Sequence, residues 1–161
     1  MNYWILFQTF LFCLVFIIIE AFTASKKGME WFATLKQPRF ALPFQVWYLI
    51  GGVYYLICGT IAYRLFLNKD SSHFKLTLLL LILMMLGNAL PNFFLLKQKS
   101  LRKFYLSGIP FAITLAALYF QLLRVDVFSS WVLLPYFIWL IYDFYYFHNL
   151  MKLNNDRRTS S

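Results

Sequence analysis

Charge is what this chain has least of. Of its 161 residues, 13% are Asp, Glu, Lys or Arg, against roughly a quarter in typical soluble domains. Hydrophobic residues make up 61%, and the mean hydropathy is +0.65. A single domain of this length cannot bury that much apolar surface inside itself. Much of it must face lipid, so the class is an integral membrane protein. Cysteine is also scarce. Cys13 and Cys58 both lie inside apolar segments without metal-ligand spacing, which excludes a disulfide framework and a redox pair and leaves two small buried hydrophobes. The two histidines, His73 and His148, fall on opposite sides of the expected bundle, so bis-histidine haem ligation is excluded. Neither a nucleophile–base pair, a metal cluster nor a phosphate loop is visible. Catalysis therefore ranks below binding, and no cofactor is expected.

What charge there is sums to +9. In a soluble protein that would raise nucleic acid as a partner. Here the bases gather in short runs between apolar segments, the pattern of loops at an anionic membrane surface. The lipid bilayer is the expected partner and nucleic acid is not.

Five apolar segments of bilayer-spanning length follow one another, about 2–23, 44–66, 76–96, 104–123 and 130–151. The first has no basic start and is longer than a signal peptide's apolar run, so it reads as a retained span. Glu20 near its end could reach the headgroups. Ser25 to Pro43 breaks the pattern with Lys26, Lys27, Lys36, Arg39 and two prolines. Within it Trp31, Phe32 and Leu35 fit one face of a short interfacial helix that Pro38 stops. This stretch is either a surface connector or a lid over a cavity. Gly51, Gly52 and Gly59 in the second span permit close approach of a neighbour. Gly87, Asn88, Pro91 and Asn92 interrupt the third span late, and the two asparagines want partners inside the bundle. The fourth span contains Pro110 and Gln121, and residues 155–161 form a polar tail. Eleven of the 15 Lys and Arg residues fall on the side of the first loop, third loop and tail. By the positive-inside rule the N-terminus lies outside the cell membrane and the C-terminus in the cytoplasm.

The fifth span is the most informative. Tyr136, Trp139, Asp143, Tyr146 and Leu150 recur at spacings of three and four, so on a helix they share one face. That face is either a pocket wall or a helix-packing stripe with a locally bonded acid. Asp143 lies eight residues before Met151, about 12 Å from the helix end. An acid at such depth costs about 2.5–3.5 kcal/mol on insertion scales, so it needs a partner or a function. Contact with a polar ligand group or a proton relay, with Asn88 as helper, is the reading it invites.

These residues resemble the tryptophan-rich sensory protein/translocator protein (TspO/MBR) family. The family's first loop reads roughly W-Y-x-x-L-x-K-P-x-[WF]-x-P-P. Here Trp31-Phe32-Ala33-Thr34-Leu35-Lys36-Gln37-Pro38-Arg39-Phe40-Ala41-Leu42-Pro43 follows it, with Leu42 for the first proline of the pair. Tyr55, Gly59 and Tyr63 match the family's second-span pattern. Leu133-Leu134-Pro135-Tyr136-Phe137-Ile138-Trp139 matches L-x-P-Y-x-x-W in the fifth, and Leu153-Asn154 echoes its end. In the third span Asn88, Phe93 and Phe94 are a partial echo. The likeness covers about residues 30 to 154. Departures fall on the ligand side: Gly51 stands where the family usually has a tryptophan, the third-span tryptophan is missing near Pro91, and Phe147 replaces an asparagine.

The resemblance implies an all-α membrane protein, a five-helix bundle holding tetrapyrroles (porphyrin, haem) or, as in animals, sterol-like molecules. On that reading Trp31, Pro38, Pro43, Asn88, Tyr136, Trp139, Asp143 and Tyr146 line the ligand, and Lys36 or Arg39 pairs with its carboxylates. Leu140, Tyr146 and Lys152 also satisfy a loose sterol-contact pattern. The functions implied are binding, transport or sensing; an enzyme degrading a porphyrin-type ligand and a scaffold with a vestigial pocket are the alternatives. A homodimer is left open.

Overall fold

The computed structural model describes residues 2–155, and the tail residues beyond that lie outside the described part. Six α-helices follow in order: α1 Tyr3–Thr23, α2 Lys26–Ala33, α3 Phe44–Leu67, α4 Phe74–Asn92, α5 Leu101–Val125 and α6 Val127–Asn155. A π-helical turn, Phe93–Lys97, extends α4. All but α2 are long and apolar enough to cross a membrane, with α1 the most apolar. No strand occurs among the described residues.

The ends of the helices are set by short polar side chains. Asn2 Oδ1 accepts from the amides of Trp4 and Ile5 at 3.1 and 3.3 Å, capping α1. Ser25 does the same for α2 through the Gly28 amide, and Ser100 for α5 through the Lys103 amide. The Ser100 cap starts α5 at Leu101, three residues before the expected boundary at 104. A single residue, Asp126, joins α5 to α6. Its amide donates to Leu122 O at 2.8 Å while its own carbonyl accepts from the Ser130 amide at 3.2 Å. The gap expected between the fourth and fifth spans, 124–129, therefore shrinks to one position.

Pro91 does not break α4. Without an amide hydrogen it cannot complete the normal ladder, and the helix widens into the π turn that follows it, with the Gln98 amide donating to Phe93 O at 3.3 Å. Gly28 of α2 seats against this widened turn. A Cβ there would stand 2.1 Å from Leu96 O, so only glycine lets α2 pack so closely. Pro38 likewise does not end α2, which stops earlier at the Thr34 cap, where Thr34 Oγ1 donates to Trp31 O at 2.7 Å.

Two apolar clusters hold the bundle. One centres on Tyr54, Ile57, Cys58, Met84, Leu115 and Leu133; the other comprises Phe32, Leu95, Phe104, Tyr146, Phe147 and Leu150. Both cysteines are buried and unpaired, as small hydrophobes. Tyr48, Leu56, Ile113, Ile138 and Ile141 present outward, the apolar exterior that a bilayer requires. Gly59 admits Cys13 Sγ to within 3.6 Å of its would-be Cβ, the expected close approach between α1 and α3. Gly51 and Gly52 do not serve that purpose, for a Cβ at either meets nothing within 4 Å.

Outside the spans, Asp126 ties the α5–α6 junction to α3. Arg64 Nη2 donates to Asp126 Oδ1 at 2.7 Å and Nε to Oδ2, while Ser129 Oγ also donates to Oδ2. The Arg64 guanidinium, which also lies 4.7 Å over the Phe128 ring, holds the Asp126 carboxyl below its usual 3.8. A lowered folded value means stabilisation that is complete above the ordinary carboxylate range and is lost as pH falls through the lowered value. We predict that Asp126→Asn lowers unfolding stability in detergent by about 1 kcal/mol at neutral pH, since the arginine is part-exposed. Wild type and variant should converge as the solution is acidified below the usual carboxylate range; a difference that persists unchanged there would contradict the ion-pair account.

Candidate functional site

Between the two clusters lies a hollow of about 570 Å³, within the span of small-molecule sites, about 300–1,000 Å³. Its walls are built from α1, α3, α4, α5 and α6, and α2 closes one end with Met29 and Phe32.

The α6 wall follows from helical spacing. Tyr136, Trp139 and Asp143 turn inward together and line the hollow. Tyr136 Oη donates to Asn88 Oδ1 at 3.1 Å, which leaves the Asn88 amide NH₂ available to a guest. Tyr136 also packs on Tyr54 with ring centroids 4.9 Å apart. Trp139 meets Trp47 of α3 edge to face at 4.9 Å, an arrangement that rings prefer to face-on stacking. Asp143 lines the hollow with Phe104 and Phe147, whose tilted rings lie 3.8 Å apart. Among the described residues no side chain hydrogen-bonds its carboxyl. Asn88, the helper expected of it, is engaged by Tyr136 instead.

A second acid shares the hollow. Glu20 turns inward from α1, not toward the headgroups as its position near the helix end implies. Tyr55 Oη donates to Glu20 Oε2 at 2.6 Å, and Asn92 Nδ2 donates to Oε1 at 2.9 Å. This polar clamp joins α1, α3 and α4, and it supplies the partner that Asn92 needs.

Four of the ten residues singled out from sequence line the hollow: Asn88, Tyr136, Trp139 and Asp143. The other six do not. Trp31 and its neighbour Phe32 point to different sides of α2, because successive helical residues diverge by about 100°. Phe32 takes the inner side, and Trp31 lines a separate outer groove of about 600 Å³ with Tyr105, His148 and Lys152. Tyr146 is buried but donates to Gln37 Oε1. Since Tyr146 turns inward while Lys152 is exposed, the sterol-contact trio does not share one surface.

Lys36, Arg39, Pro38 and Pro43 belong to a strap rather than to the cavity wall. The Lys36 amide and carbonyl bond the Asn154 side chain, each at 3.1 Å. Tyr142 Oη accepts from the Leu42 amide at 3.1 Å and donates to Phe40 O at 3.3 Å. These bonds fasten the segment between α2 and α3 along α6, so the cover over the hollow is α2 and not the proline-rich stretch. Pro38 is buried under this strap, Pro43 caps α3, and Arg39 is exposed.

The sequence profile of the TspO/MBR family matches residues 9–150. The chain belongs to the TspO/MBR family. A search of curated proteins returns no match. Membership accounts for the five membrane-crossing helices, and it makes the chain's own departures the features to explain. In this TspO/MBR protein the tryptophan position of the second span is Gly51, which lines the hollow beside Gly52 and adds room where a ring would stand. Trp47, one turn earlier, supplies the indole that faces Trp139.

Trp47, Tyr54 and Glu20 are among the wall residues that sequence reasoning missed. For Trp47 a signal was present: Trp47, Gly51, Tyr54 and Cys58 recur at four and three, the same rule that marks α6. Glu20 carried none beyond its depth.

Removing Glu20 tests the clamp. Glu20→Ala orphans the Tyr55 hydroxyl and the Asn92 amide, each worth about 1–3 kcal/mol when left unpaired away from water. We expect a stability loss of that order in thermal unfolding, with Glu20→Gln recovering most of it. Equal stability of wild type and Glu20→Ala would rule the clamp out.

Proposed function

We propose that this protein binds a flat, largely apolar small molecule in the hollow, as a membrane binding, transport or sensory protein. One observation carries the reading: facing aromatic rings from α3 and α6, Trp47 against Trp139 and Tyr54 against Tyr136, wall a cavity of ligand size that α2 covers. Such rings stack on a planar guest, and the few convergent polar groups, Asn88 and Asp143, would orient it.

Within the family's ligand range a free-base porphyrin suits this hollow better than haem. Among the described residues no histidine lines it to offer iron an axial ligand, since His148 faces the outer groove. Lys36 and Arg39 are not placed to pair with carboxylates inside. A sterol-like guest remains an alternative on shape. Binding is preferred to catalysis, because the wall offers acids, amides and phenols but no paired nucleophile and base. The proposed orientation has the N-terminus outside and the strapped first loop in the cytoplasm, from the distribution of Lys and Arg.

Titration of the purified protein with protoporphyrin, haem, a sterol and a carotenoid tests the reading. Protoporphyrin should quench tryptophan emission saturably, and Trp47→Phe with Trp139→Phe should remove most of the quenching. Gly51→Trp, which puts an indole into the hollow, should weaken binding by about tenfold, or about 1.4 kcal/mol. Quenching that never saturates, across the whole panel, would favour a scaffold with a vestigial pocket. Identical products in light and dark would exclude light-driven degradation of the porphyrin.

A further inference from the structure

The lining of the hollow has a sign. Two carboxyl side chains, Glu20 and Asp143, enter it, and among the described residues no Lys, Arg or His does. Bases are plentiful elsewhere in the chain, with 15 Lys and Arg against six acids, so an acid-only interior runs against the composition of the whole protein.

The two acids are not equivalent. Glu20 has one oxygen bonded by Tyr55 and the other by Asn92. Asp143 is enclosed by the bundle and exposed only in part. It opens into the hollow, and both its oxygens are without a protein donor among the described residues. A carboxyl this deep in a membrane protein is costly unless something pairs with it, and the described residues supply no partner. Trp139 and Trp47 line the same hollow, and indole faces attract cations through their quadrupoles.

Resting on the ligand-binding reading above, we propose that the preferred guest carries a protonated amine or other cationic nitrogen on its flat apolar body, with Asp143 as the counter-ion. The ring system lies against Trp47, Trp139 and Tyr54; the cationic group faces Asp143; Glu20, already bonded, adds only to the field. A guest with carboxylates meets two acids and, among the described residues, no base in the same space, so a porphyrin dicarboxylate binds there more weakly than a cationic guest of like shape. The hollow thus selects by charge as well as by shape, and the sign is opposite to that expected for a dicarboxylate porphyrin.

The test uses the full chain in nanodiscs of zwitterionic lipid, with lipid-only discs subtracted for partitioning. Three probes share one ring: anthracene bearing an aminomethyl, a hydroxymethyl or a carboxylate group. Energy transfer from tryptophan to anthracene reports binding. The amine should bind at least about tenfold tighter than the alcohol, with the carboxylate weakest. Asp143→Asn, nearly isosteric, should abolish the amine's advantage, bringing its affinity to that of the alcohol in the same variant. Should the variant fail to fold, the wild-type order of the three probes decides alone. Equal affinities, a preference for the carboxylate, or an amine advantage that survives in Asp143→Asn would overturn the proposal while leaving the ligand cavity standing. Binding of none of the three would remove both together.

Discussion

A polar group held in hydrocarbon must find a partner, and this bundle is arranged around how two carboxyls meet that demand. Glu20 meets it within the protein, drawing a phenol from α3 and an amide from α4. The clamp joins three spans, at a level where apolar packing alone does not specify which helices meet. Asp143 finds no such partner among the described residues. Its carboxyl opens into the hollow between the two clusters, and that coincidence of an unmatched acid with a lined cavity is the basis of the charge preference proposed above.

The space itself is made by what the sequence omits. Gly51 and Gly52 withhold side chains from α3 where nothing else fills in, and Pro91 loosens α4 into a π turn against which Gly28 brings α2. The aromatic clusters at either end then act as walls. Phe104 against Phe147 closes one side, and Tyr54 with Tyr136 closes the other. Strapping of the first loop along α6 by Tyr142, Tyr146 and Asn154 fixes the cover in register with the acid-bearing face.

How much of this could be read beforehand depends on the range of the physics involved. Span number follows from hydropathy, a property of the chain alone, and all five were legible. The inward stripe of α6 follows from helical periodicity, so Tyr136, Trp139 and Asp143 could be grouped from spacing. The family's first-loop motif located the strap but not its role, because the motif does not say that its side chains spend their hydrogen bonds on α6. Trp31 was misplaced for a simpler reason: on an eight-residue helix neighbouring aromatics diverge, and only packing against the π turn and α6 decides which one turns in. Glu20 was invisible because its partners lie 35 and 72 residues away. The departure at Gly51 proved more informative than the motif matches, since it changes the cavity's volume.

The central claim is that a guest sits between α3 and α6, against Trp47 and Trp139. The most direct measurement is fluorine NMR of protein labelled with fluorotryptophan, its five resonances assigned by single substitutions, during titration with the neutral hydroxymethyl anthracene. The account predicts saturable shifts at Trp47 and Trp139, with Trp4 and Trp131 unmoved and Trp31 at most weakly affected. Shifts confined to Trp31, or uniform small drifts at all five, would place the molecule in the outer groove or in the lipid and contradict it.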